Sequence, residues 1–149
     1  MSRPDISPLL FYRDPRAALA FLEAAFGFET RLLVDDGKGG VIHSETWLGG
    51  GMVMVSGPPF EKWAAPRDLD GRRTGSVHIQ LKEGIDAVCE RARAAGATIE
   101  REPTDQVYGD RSFTCLDPEG QSWSFGQTIQ VMTTDEVAKA TGHDIREKL

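Results

Sequence analysis

Few residues in this chain combine a reactive side chain with a spacing that could serve chemistry. His43 and Glu45 stand two apart, and His78, Tyr108 and the pair Asp110-Arg111 follow further along. Residues two apart on an extended strand share a face, so His43 and Glu45 project to one side with Trp47 next along it. If that side lines a pocket, His43, Glu45 and His78 could converge to bind a divalent ion or exchange protons. If it does not, the first two lie on an outer or interfacial face and His78 is a hydrogen-bonded strand residue. Arg111 could pair bidentately with a ligand carboxylate or phosphate while the Tyr108 hydroxyl orients it. The alternative is an Asp110–Arg111 contact that fixes a loop. Trp47, Met54 and Trp123 either fill a core or line a cavity where aromatic rings stack on a planar ligand. No catalytic residue is assigned, because no Ser-His-Asp or Cys-His set has supporting context. Gly49-Gly50-Gly51 joins two strands and opens no helix, so it is not a phosphate loop.

The elements that must position these residues come from a chain of 149 residues with 17 basic and 23 acidic side chains, a net charge of −6. That length and 40% hydrophobic content suit one globular domain with a core. Net acidity without a basic block excludes nucleic acid as an expected partner. No apolar run is long enough for a membrane-spanning helix, and the start Met1-Ser2-Arg3-Pro4-Asp5 has no signal-peptide core, so a cytoplasmic location is expected. Cys89 and Cys115 lack metal-type spacing and are read as free buried thiols.

Two helical patterns each stop at a glycine: residues 15–26 before Gly27, with Asp14 as cap and Pro15 at the first helical position, and residues 85–95 before Gly96. Strand candidates surround each in the same order. Residues 6–12 precede the first helix, and 28–34, 41–48 and 52–56 follow it. Residues 76–81 precede the second, and 97–101, 111–116 and 121–125 follow it. Strand, helix and three strands are thus written twice at an offset of about 69 residues. The expected fold is α+β, a duplicated βαβββ module forming curved sheets around a shared cavity. The first module spans about residues 6–56 and the second about 76–127. Residues 57–75 form a long connection, read as a lid or pocket wall or else a passive linker. A helical tail spans 133–149, where His143 is read as solvated.

The segments Ala18–Phe28 and Asp86–Ala97, the run Tyr108-Gly109-Asp110-Arg111-Ser112 and the turn Asp117-Pro118-Glu119-Gly120 resemble the vicinal oxygen chelate superfamily. That superfamily includes glyoxalase I, extradiol dioxygenases and the bleomycin and fosfomycin resistance proteins. The resemblance covers about residues 6–127 and is closest to the small bacterial members. It implies a fold that hosts metal enzymes and metal-free binding proteins alike. In the metal enzymes one divalent ion is held by His or Gln, Glu, His and Glu from the strands that open and close each half, and it stabilises an enolate or oxyanion.

Carried onto this chain, the first position falls at Ser7, or at Pro8 or Leu9 if the internal repeat sets the frame. The fourth strand, Met52-Val53-Met54-Val55, has no carboxylate. The third position is His78 or Val77, depending on the turn before the second helix, and the last is Ser124. The usual metal site is therefore expected to be absent and no cofactor is expected, although a divalent metal at an atypical site of His78, His43 and Glu45 stays open. The resemblance then implies a protein that binds a small organic molecule, with sequestration as the known metal-free role, and a homodimer. The alternative is a metal-dependent lyase, isomerase or dioxygenase-like enzyme acting on a small carbonyl compound. The acidic balance favours a cationic ligand only weakly.

Overall fold

The structure, a computed structural model, describes residues 2–148. The first half runs β1 (Leu9–Phe11), α1 (Pro15–Phe26), β2 (Glu29–Asp35), β3 (Val41–Leu48) and β4 (Gly51–Ser56). A connecting segment with one 3-10 turn, Pro66–Leu69, leads to the second half. That half runs β5 (Ser76–Leu81), α2 (Ile85–Ala94), β6 (Thr98–Asp105), β7 (Asp110–Leu116) and β8 (Ser122–Thr128), and α3 (Thr134–Thr141) follows. Each half forms a four-stranded mixed sheet, ordered β1-β4-β3-β2 and β5-β8-β7-β6. In both, the first and last strands are parallel and the other pairs antiparallel.

The local chemistry accounts for these bounds. The Asp14 carboxylate accepts from the Ala17 amide at the start of α1, and Gly27 closes the helix in the left-handed conformation. β6 continues through Pro103 to Asp105, further than its apolar pattern predicts. It is an edge strand, and a missing ladder donor can be tolerated there. Thr133 and Glu136 form a reciprocal capping box that starts α3.

α1 packs on β2, β3 and β4, and α2 packs on α1 and on β6, β7 and β8. Phe26 of α1 reaches across to Trp123 and Phe125 of β8, with ring centroids 5.2 and 4.9 Å away. One core joins Val53 and Val55 of the first sheet, both helices, and Phe113, Cys115, Trp123 and Phe125 of the second. The two helices therefore lie between the sheets, and each sheet has a helix-facing side and a helix-free side. The two helix-free faces point away from one another.

A buried polar knot ties the halves together. Asp117, in the turn between β7 and β8, accepts from the Tyr12 hydroxyl at 2.6 Å and from Trp123 Nε1 at 3.1 Å. The Glu119 and Gln121 amides donate to its other oxygen. Burial raises the Asp117 carboxyl above its ordinary range despite these four donors, and burial together with the Asp117 charge raises the Tyr12 phenol. Glu119 accepts from the Arg13 and Asp14 amides, both at 2.8 Å, at the entrance to α1. The Asp-Pro-Glu-Gly turn is thus a clamp between the two halves.

Candidate functional site

Strand register fixes which side chains share the helix-free faces. β1 and β4 place Leu9 opposite Met54, and β5 and β8 place His78 opposite Ser124. One strand further in, Glu45 lies opposite Met54 and Thr114 opposite Ser124. The internal repeat thus equates Leu9 with His78, Met54 with Ser124, Glu45 with Thr114, and Trp47 with Leu116. It also decides the frame: Val77 packs against the helix-side core, and His78 lies on the other face.

The first face is apolar around one buried carboxylate, Glu45. Glu45 is 7% exposed and paired with Arg3, and its Oε1 lies 3.6 Å from His43 Nε2. Trp47 and Met52 are both 5% exposed, and the Arg31 guanidinium sits 5.0 Å above the Trp47 ring. The second face is polar. His78 Nδ1 meets Ser124 Oγ at 2.8 Å, and its Nε2 meets Gln80 Oε1 at 3.1 Å. Gln80 Nε2 donates to Thr128 Oγ1 at 3.2 Å, which completes a hydrogen-bonded row. A Cβ at Gly126 would come within 2.6 Å of Gln80 Oε1 and 3.2 Å of His78 Cε1, so a glycine there lets the pair lie across β8. Gln80 and Gly126 had no motif to mark them in the sequence.

Leu9, Met54, His78 and Ser124 do not fit a divalent ion: they supply one imidazole, a thioether, a hydroxyl and an alkyl chain, where such a site needs several nitrogen or oxygen ligands. Among the described residues, no group of three or more His, Cys, Asp or Glu could hold a metal, so within one chain His78 is not brought to the His43–Glu45 pair.

The other sequence candidates sit elsewhere. Trp123 is on the helix-facing side, fully buried in the core. Arg111 is bound by Asp86 at 2.9 Å and Asp105 at 2.7 Å, and neither partner is the adjacent Asp110. These two bonds raise its pKa further and join the start of α2 to β6. Tyr108 is at an exposed turn whose Gly109 has φ of 96° and would press a side chain into the Gln130 carbonyl. Burial pushes the Cys115 thiol up to about 12 and raises that of Cys89, which leaves both poor nucleophiles.

A cavity of about 480 Å³ lies at the edge of the sheets, between β1 and β5 and beneath the connecting segment. Leu9 and Phe11 form one wall, and Trp63, Lys62, Arg72 and Arg73 of the segment form another. Phe11 and Trp63 meet edge to face, with centroids 4.8 Å apart. Ala65 is fully buried, and Asp68 in the 3-10 turn pairs with Arg13, so the segment is anchored beyond Trp63.

The sequence profile of the Glyoxalase/Bleomycin resistance protein/Dioxygenase superfamily matches residues 6–125. The chain belongs to this superfamily. An uncharacterised protein from Mycobacterium bovis is 31% identical over 141 residues, covering 92% of this chain and 91% of that one. The crystal structure of TioX from Micromonospora sp. ML1 superposes with a TM-score of 0.68 at 27% identity, covering 86% of this chain and 99% of that one. The superfamily fold is also that of FosX, a fosfomycin resistance protein of Listeria monocytogenes solved with Mn(II) and sulfate. That structure has a TM-score of 0.62 and 18% identity, covering 95% of this chain and 99% of FosX. Among the described residues, no helix is long and apolar enough to cross a membrane.

Proposed function

We propose that this superfamily member binds a small organic molecule and holds no resident metal ion. The observation that carries the reading is the set Leu9, Met54, His78 and Ser124 at matched register positions. Three of these four cannot serve as strong ligands, and the fourth is already hydrogen-bonded to its neighbours. The apolar first face and the aromatic cavity beside it have the character of an organic ligand site. Sequestration of the ligand, without turnover, is the role this supports.

The working unit in this reading is a homodimer. Within one chain the helices separate the sheets, so a space bounded by a first-half face and a second-half face needs a second copy. Light scattering at micromolar concentration should return twice the chain mass, and a monomer mass would defeat this part of the reading. The free, buried thiols favour the cytoplasm as its location.

The deciding experiment is metal content after purification without tag or chelator, followed by titration with Ni, Zn, Mn and Fe(II) beside a His78→Ala control. No stoichiometric binding is expected. A stoichiometric metal that the control loses would overturn the proposal. One observation favours a second reading, a proton-transfer enzyme acting on a small carbonyl compound: the buried Glu45 carboxylate beside His43. Turnover that disappears in Glu45→Gln would establish it.

A further inference from the structure

We infer that the cavity beneath the connecting segment takes a planar organic anion, with its carboxylate or comparable group on Lys62 and Arg72 and its ring against Trp63. This rests on the reading that the chain binds small molecules, and it adds where and of what class. The charge of the lining is the first ground. Acidic residues outnumber basic ones 23 to 17 in the chain, yet this cavity is lined by Lys62, Arg72 and Arg73 and by no Asp or Glu. The lining therefore reverses the sign of the molecule as a whole, and the local field decides what a pocket attracts.

The second ground is that two of the three cations are uncommitted. Arg73 is held by Glu100 at 3.0 Å. Among the described residues, Lys62 and Arg72 have no carboxylate within 4.0 Å. Arg72 uses its Nε on the Leu69 carbonyl at 3.4 Å, which leaves both terminal nitrogens for a bidentate acceptor.

The third ground is shape. Trp63 is 53% exposed although its ring already touches Phe11, so one side of the indole remains uncovered. A volume of about 480 Å³ suits a ligand of one or two fused rings. Leu9 and Val77 complete the apolar walls, and Gln121 adds a polar group.

Three probes of one shape and different charge test the assignment by calorimetry on the full chain: 2-naphthoate, 2-naphthylmethanol and 2-naphthylmethylammonium. The carboxylate is expected to bind at least about tenfold more tightly than the alcohol, and the ammonium least. Lys62→Gln with Arg72→Gln should remove that preference and leave binding of the alcohol unchanged. Arg146→Gln, at an exposed pair with Asp144 outside the cavity lining, should change nothing. Circular dichroism of each variant reports folding. Equal affinity for carboxylate and alcohol, or a preference that survives the double substitution, would overturn the anion class and leave small-molecule binding standing. Binding of none of the three would overturn the assignment of this cavity, and the metal titration above would still decide the broader reading.

Discussion

At equivalent positions the first half of the chain places Leu9, Met54, Glu45 and Trp47, and the second places His78, Ser124, Thr114 and Leu116. The backbone and strand order are the same. On the helix-facing sides the halves also agree, with Val53 and Val55 answered by Trp123 and Phe125 in one apolar core. On the helix-free sides they have diverged, one toward an apolar surface with a single buried carboxylate, the other toward an open row of hydroxyls, amides and an imidazole. A duplicated fold constrains the side that must pack and leaves the other side free to vary.

Unequal burial should make equivalent residues unequal in energy. Trp47→Ala removes a ring that is 5% exposed, and a loss of about 3 to 5 kcal/mol is expected in urea unfolding. Its counterpart Leu116 is only half-buried, and Leu116→Ala should cost about 1 to 2 kcal/mol. Equal losses would mean that burial within one chain does not set the cost of truncating these two residues.

The clamp that joins the halves should come next. An asparagine at position 117 would turn an amide group toward donors that now meet a carboxyl oxygen, so Asp117→Asn is expected to cost about 2 to 3 kcal/mol. The deficit should also depend on pH. Burial raises the Asp117 carboxyl in the folded chain, so its protonation favours folding below the unfolded value, and that contribution is lost as pH rises through the folded one. The gap between wild type and Asp117→Asn should therefore be widest in acid and narrow with rising pH in a series of urea titrations. A gap that widened with pH would place the ionised carboxylate as the favoured form.

The smallest effect on stability should fall on the open face. His78→Ala removes an exposed side chain, and a change within about 0.5 kcal/mol is expected. Ser124→Glu sharpens the comparison differently. It sets a carboxylate opposite His78, and weak Zn binding that the wild type lacks should appear in titration and vanish in the double variant with His78→Ala. Unchanged metal behaviour would show that two ligands on this face are not close enough to share an ion.

The duplication was legible because each half repeats an apolar pattern, a helix and a stop glycine. β5 has the bounds its alternation predicts, since it must bury one side. β6 outran its pattern because an edge strand has fewer partners to define its end. The helix-facing role of Trp123 was not legible: an aromatic residue suits either face of a strand, and contact with Phe26 of the other half decided it. Arg111 stood beside Asp110 in sequence, yet Asp86 and Asp105 hold it, because neighbours along a strand point to opposite sides.

The sequence by itself determined the duplicated module, the family it resembles and the poverty of metal ligands at the expected positions, because periodicity, turn glycines and residue types are properties of the chain alone. The tertiary structure decided the strand frame that puts His78 on the helix-free face, the separation of the two faces by the helices, and the basic cavity under the connecting segment. Each of these depends on which distant residues come to lie side by side. The −6 charge favoured a cation weakly, and the cavity lining points to an anion, because a pocket is governed by the few charges that tertiary packing gathers around it.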